Sequence, residues 1–178
     1  MLSIIIGGAG SGKSAFAEKL VCRLPGQRLY IATMIVRDTE SVKRIEKHRK
    51  QRAGQGFRTL ERETDLAGAV GTDPTETLFP KRANALLEDL SNLLANEMFS
   101  QKGGGMDAVR KGLRALLERC GNLTVVTNEI FSDGVEYEGE TLAYLRNLAR
   151  LNRDLAGEAD LVVEIVCGMP NVLKGKLP

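Results

Sequence analysis

At 178 residues the chain has the length of one ordinary domain. A chain of that length buries roughly 70% of its unfolded surface, so a core needs no disulfide staples. With 43% hydrophobic residues, 27% charged and a net charge of +2, it is not a disordered chain, a collagen or a coiled coil, and it lacks the charge of a dedicated nucleic-acid binder. No apolar run approaches the ~18 residues of a membrane span, and the short run Leu2–Ile6, with no basic residues ahead of it, does not read as a signal peptide. Cys22, Cys120 and Cys167 show no metal spacing and are expected to be reduced, mostly buried thiols of a cytoplasmic protein. His48 is the one histidine, so any chemistry that needs two is excluded.

In chain order, Leu2–Ile6 is a continuous apolar run that predicts a strand buried on both faces. Residues 13–24 carry Phe16, Leu20 and Leu24 at helical spacing, ended by Pro25-Gly26. Leu29–Ala32 predicts a second buried strand, residues 39–53 a highly charged helix and Phe57–Leu60 a short strand. Leu66–Pro80, broken by Gly71, Pro74 and Pro80, predicts a helical turn and then a loop. Ala85–Leu87 fits either a strand end or the start of a helix running through Leu94. After a glycine-rich loop at 101–105, residues 106–120 predict a helix with Val109, Leu113, Leu116 and Leu117 on one face. Leu123–Thr127 predicts a strand, 139–157 a long amphipathic helix with Leu142, Leu145, Leu148, Leu151 and Leu155, and Leu161–Val166 the last strong strand. This alternation predicts one α/β sandwich over 1–178 with a mainly parallel sheet.

The strongest motif is Gly7-Gly8-Ala9-Gly10-Ser11-Gly12-Lys13-Ser14, a complete G-x-x-x-x-G-K-[ST] between a predicted strand and a predicted helix. Glycines let consecutive backbone N–H groups converge on phosphate oxygens, and the helix N-terminus adds partial positive charge. Lys13 would reach the β- and γ-phosphates of a nucleotide and Ser14 would ligate Mg²⁺. A carboxylate at another strand end should complete the metal shell. Glu88, with Asp89 beside it, is the candidate, although periodicity alone reads both as a solvated helix face. Asp160 fits less well because it precedes its strand.

The second informative stretch surrounds His48. Arg44, His48 and Arg52 recur every four residues and would share one helical face. Nine Lys/Arg against four Asp/Glu between Arg37 and Arg62 give this stretch about +5 and leave the rest of the chain about −3. So many cations favour the neutral, nucleophilic form of the imidazole. Flanking arginines would neutralise phosphate charge during attack on a nucleotide's α-phosphorus. Taken alone, the stretch also fits an exposed charged helix, or an RNA contact without an aromatic stacking residue.

Together these residues resemble the adenosylcobinamide kinase / adenosylcobinamide-phosphate guanylyltransferase family. The resemblance rests on Gly7-Gly8-Ala9 through Gly12-Lys13-Ser14, Tyr30-Ile31-Ala32-Thr33, Asp38, Glu40, Arg44-Ile45, His48, Arg52, Thr59 and Glu61. It continues through Leu86-Leu87-Glu88, Asn96, Thr127-Asn128-Glu129, Asn152 and Val163–Gly168. It implies a P-loop fold of the recombinase-like kind, a three-layer sandwich with a mainly parallel sheet, often assembled as a trimer. It implies two reactions: phosphorylation of the aminopropanol hydroxyl of adenosylcobinamide by ATP or GTP with Mg²⁺, and transfer of GMP from GTP, through a guanylylated histidine at His48, to adenosylcobinamide phosphate. The guanine-nucleotide contacts it implies are Gly7 to Ser14, Ile31, Ala32, Thr33, Arg49, Lys50, Gln51, Arg52, Glu61 and Glu88, with Ser14 and Glu88 on the metal.

The chain departs from the family pattern at Gly10, where an arginine is usual, and by one extra residue between His48 and Glu61. It departs again at Phe131-Ser132-Asp133-Gly134-Val135-Glu136, which replaces a glycine-rich Val-Pro turn. These changes bear on the corrinoid side more than on the nucleotide. A P-loop kinase or NTPase for another small molecule would turn over γ-phosphate without His48. A basic RNA-binding module would bind in a salt-dependent way and would not compete with GTP.

Overall fold

The computed structural model describes residues 1–35, 46, 52–73 and 77–178. Its elements are β1 (Leu2–Gly7), α1 (Lys13–Cys22), β2 (Arg28–Ala32), β3 (Phe57–Glu61), α2 (Leu66–Gly71) and β4 (Asn84–Glu88). They continue with α3 (Leu90–Phe99), α4 (Gly105–Arg119), β5 (Asn122–Asn128), α5 (Gly139–Glu158), β6 (Leu161–Val166) and β7 (Met169–Lys174). The seven strands form one sheet in the order β3-β2-β4-β5-β1-β6-β7, parallel throughout except for β7, which runs antiparallel to β6.

Successive residues of the central strands point to opposite faces, and here both faces are apolar. Ile4, Ile31, Leu87 and Val125 face the core closed by α2, α3, α4 and α5. Their neighbours Ile5, Tyr30, Leu86 and Val126 face α1, which contributes Ala17, Leu20 and Val21. Helices therefore flank both sides of the sheet. Burial on two faces is why these strands read as unbroken apolar runs rather than alternating ones.

Most elements fall where the sequence puts them, and three differences have physical causes. Ala85–Leu87 resolves as strand, and the helix after it starts at Leu90, because Asp89 stands at its N-cap and accepts a 2.7 Å bond from Asn92 N–H. The hairpin strand β7 was not expected, since all six of its residues, Pro170 among them, face solvent and carry no strand pattern. An edge strand tolerates a proline that a central one cannot. The cysteines are free but not mostly buried: Cys22 and Cys120 are half-buried and Cys167 is exposed. Burial pushes the Cys120 thiol up to about 11, despite the opposing pull of Arg119.

Candidate active site

Parallel strands deliver their C-terminal ends to one edge of the sheet, where α/β folds build their sites. Strand β5 lies between β1 and β4, so the phosphate loop after β1 and the carboxylate at the end of β4 are one strand apart. Gly7 passes between Ser11 and β6; a methyl group there would sit 2.6 Å from Ser11 Oγ and 2.7 Å from the Ile165 carbonyl. Gly12 caps α1 in the left-handed region at φ 93°, which glycine alone adopts without strain. Gly10 also has positive φ, 70°, with open space beside it. The loop geometry thus suits glycine where the family usually has arginine. The loop is tied by Ser11 N–H to Gly8 O at 3.2 Å, and its outer side by Gly168 N–H, in the β6–β7 turn, to Ser11 O at 2.9 Å.

Lys13, only 8% exposed, folds back over the loop and donates to Gly8 O at 3.1 Å. One residue on, Ser14 Oγ donates to Glu88 Oε1 at 2.6 Å, so the two proposed metal-binding side chains meet across the gap. This corrects the helix-face expectation: Glu88 ends β4 and is half-buried, and Asp89 is a buried cap. Burial, then the neighbouring Asp89 carboxylate, push Glu88 up to about 8, against the pull of its bond from Ser14 and of the Lys13 ammonium. Its second oxygen, Oε2, is buried without a hydrogen-bond partner. One hydroxyl and one such carboxylate suit a hard, oxygen-seeking cation that arrives with phosphate ligands of its own, the usual habit of Mg²⁺. Among the described residues no group of three or more His, Cys, Asp or Glu side chains is arranged to hold a metal ion.

Thr33, fully buried just past β2, fixes this corner. Its Oγ1 lies 3.0 Å from Glu88 O and 2.8 Å from Asp89 O, and accepts from Asp89 N–H at 2.8 Å. Asn96, 4% exposed, donates to Thr33 O at 2.7 Å. The Glu88–Asp89 peptide is cis. Farther along the edge, Ser91 Oγ donates to Asp89 Oδ1 at 2.7 Å and accepts from the Asn128 amide, and Asn152 Nδ2 reaches Asn128 O at 3.4 Å. Asp89, Ser91 and Asn128 thereby link β4, α3, β5 and α5, a connection that no spacing in the sequence signals.

The other expected nucleotide contacts divide. Ala32 lies in register between Glu61 and Glu88, so those three residues form a row across β3, β2 and β4. Ile31 is fully buried in the core on the α2–α5 face, and its side chain is not brought to the loop. Arg52 is 7% exposed, with its guanidinium carbon 3.4 Å from the centroid of the Tyr30 ring. His48, Arg49, Lys50 and Gln51 lie outside the described residues, as does Arg44. Glu129 bonds within its own turn, to Phe131 N–H at 3.1 Å and Ser132 Oγ at 2.9 Å. Asp160 is structural: its Oδ2 accepts from Leu2 N–H at 2.8 Å.

Glu18 escaped the sequence reading. It is 3% exposed on α1, one helical turn beyond Ser14, and its Oε1 lies 3.9 Å from Arg52 Nη1. A carboxylate set among Ala17, Leu20 and Val21, on a stripe that should be apolar, was the available signal.

No helix among the described residues is long and apolar enough to cross a membrane. A family model described as cobinamide kinase / cobinamide phosphate guanyltransferase matches residues 3–173. The chain is 33% identical to the bifunctional adenosylcobalamin biosynthesis protein CobU of Salmonella typhimurium (strain LT2), over 95% of this chain and 97% of that protein. It is 32% identical to the protein of the same name in Escherichia coli (strain K12), again over 95% and 97%. It is 31% identical to the bifunctional adenosylcobalamin biosynthesis protein CobP of Pseudomonas aeruginosa (strain PAO1), over 99% of both chains.

Proposed function

Since the chain belongs to the cobinamide kinase / cobinamide phosphate guanyltransferase family, we infer that it carries out both reactions of that name on adenosylcobinamide, within one domain spanning 1–178. The observation that carries this reading is the contact of Ser14 with Glu88 at the mouth of a complete phosphate loop.

In the kinase reaction the loop's N–H groups and the α1 N-terminus hold the triphosphate. Lys13 exchanges its bond to Gly8 O for the β- and γ-phosphate oxygens. Ser14 and Glu88 would hold Mg²⁺, which would supply positive charge to offset the negative charge that builds up on transfer. Glu88 must give up its proton to serve there, and Thr33 keeps its backbone in place meanwhile. The aminopropanol hydroxyl of adenosylcobinamide attacks the γ-phosphorus, the nucleoside diphosphate leaves and the hydroxyl proton is released.

In the second reaction a neutral His48 nitrogen attacks the α-phosphorus of GTP and pyrophosphate leaves. A phosphate oxygen of adenosylcobinamide phosphate then displaces the histidine from the GMP phosphorus, giving adenosylcobinamide-GDP and free His48. The cations from Arg49 to Arg52 favour both the neutral imidazole and the phosphate charge. By the same resemblance the protein works in the cytoplasm as a homo-oligomer, a trimer. The exposed Val166, Met169 and Leu173 of the β6–β7 hairpin offer apolar surface for such an assembly.

Incubation with α-labelled GTP tests the reading. The wild type should take an acid-labile label that His48→Ala does not take, and an unlabelled wild type would remove guanylyl transfer from its chemistry.

A further inference from the structure

We propose that Glu18 is a positioning residue for guanylyl transfer: its carboxylate fixes the Arg52 guanidinium on the Tyr30 ring and so ties the chain that follows His48 to α1. This rests on the histidine-dependent reading above and goes beyond it, because Glu18 belongs to neither the phosphate loop nor the basic stretch.

Arg52 and Glu18 are both ionisable and both buried, with side chains 6% and 4% exposed; burial raises the Glu18 carboxyl above its ordinary value and the Arg52 guanidinium pulls it back. Among the described residues Glu18 is the carboxylate within 4 Å of Arg52. Two buried charges at such a place persist only as each other's partner, since removing one strands the other. The geometry is specific as well. The Tyr30 ring supports the face of the guanidinium at 3.4 Å. Phe57 holds that ring edge-on, with centroids 6.0 Å apart and planes at 84°. Glu18 approaches the guanidinium from α1, so two elements besides its own chain, β2 and α1, hold the arginine.

The pair is not closed. At 3.9 Å, Arg52 Nη1 and Glu18 Oε1 are too far apart for a hydrogen bond, and Arg52 Nε, Arg52 Nη1 and Glu18 Oε1 are all buried without one. A purely structural ion pair would normally satisfy these groups. What remains is a charge anchor that holds a position.

That position matters because of what stands at either end. Glu18 follows Ser14 by one helical turn, so it shares the stripe of α1 that carries the Ser14–Glu88 contact. Arg52 follows His48 by four residues, so covalent reach keeps their α-carbons within about 14 Å. The anchor therefore limits how far the nucleophile's segment can stand from the helix that opens at the triphosphate. The kinase reaction, which does not use His48, has no need of it.

The test compares the two reactions in the same full-length preparation. Glu18→Gln keeps shape and hydrogen-bonding capacity but loses charge. It should slow labelling of His48 by α-labelled GTP at least about tenfold, within the ~100-fold that a 1 Å misplacement can cost. KM and kcat for phosphoryl transfer to adenosylcobinamide should stay within about threefold of wild type, because the phosphate loop is untouched. Arg52→Lys, which loses the planar stack, should also slow labelling. Arg52→Met removes the charge as well as the stack, and adding Glu18→Gln to it should cost less than about a further threefold, since the carboxylate then has no cation to hold. Labelling of Glu18→Gln at the wild-type rate, a parallel fall of both reactions, or additive effects of Arg52→Met and Glu18→Gln would each overturn the proposal. A wild type that takes no label at all would instead overturn the histidine reading, and the proposal with it.

Discussion

The raised pKa of Glu88 turns the site into a measurable proton exchanger. With Glu88 at about 8, the nucleotide-free protein at pH 7 is ~90% protonated there. A carboxylate that holds Mg²⁺ must be ionised. Binding of the magnesium–nucleotide complex should therefore release close to one proton at pH 7, and about half a proton at pH 8. Affinity should climb about tenfold between pH 7 and pH 9, as the ionised fraction rises from ~0.1 to ~0.9. Stability of the free protein moves the other way. The folded pKa lies above the ordinary 4.5, so the folded chain holds the extra proton between those two values, and stability is lost as pH rises through that window. At ~1.4 kcal/mol per tenfold change in acidity, this is bounded at ~5 kcal/mol. Titration calorimetry of Mg-GTP in buffers of different ionisation enthalpy reads the proton count directly, and thermal melting from pH 5 to pH 9 reads the stability. Glu88→Gln, a permanent mimic of the protonated acid, should bind weakly, release no proton and flatten both profiles. Zero proton release by the wild type at pH 7, with affinity unchanged up to pH 9, would refute the assignment of Glu88 to the metal.

Other expectations concern the frame around that carboxylate. Lys13→Ala should abolish both phosphoryl transfer and histidine labelling, since both reactions place a triphosphate on the same loop; γ- and α-labelled nucleotides check this. Thr33→Val leaves the buried Asp89 N–H without its 2.8 Å acceptor and should cost ~1–3 kcal/mol in urea unfolding, with Thr33→Ser close to wild type. Gly7→Ala drives a methyl group to 2.7 Å from the Ile165 carbonyl, backbone that cannot step aside. It should destabilise by ~1–3 kcal/mol in the same assay and weaken nucleotide binding.

Much of this architecture was legible because each local signal had one physical meaning. The glycines before Lys13, the doubly apolar strands and the amphipathic stripe of α5 each specify an element without help from the rest of the chain. What stayed hidden depends on contacts between distant segments. Glu88, the strand-end candidate for the metal, read as a helix-face acid by periodicity alone because Asp89, the true helix cap, follows it directly; pairing of β4 with β2 and β5 makes it a strand end. Strand β7 has no pattern of its own because it pairs with β6 alone and faces solvent. Glu18 showed only as a carboxylate on an otherwise apolar stripe, because its partner lies 34 residues away in sequence. At Ile31 the motif and the core coincide: its side chain packs into the core on the α2–α5 face, so a contact there would have to come from its backbone.

The bond from Gly168 N–H to the Ser11 carbonyl has a consequence for how this site can be observed. That amide belongs to the outer hairpin of the sheet, and its proton can exchange with solvent only when the β6–β7 turn parts from the phosphate loop. Exchange at Gly168 therefore reports the opening of the loop from the neighbouring turn. A nucleotide that tightens the loop should slow exchange there, while amides elsewhere on the exposed β7 keep their pace. The edge of the sheet and the loop at its centre share a single opening event, and one backbone proton times it.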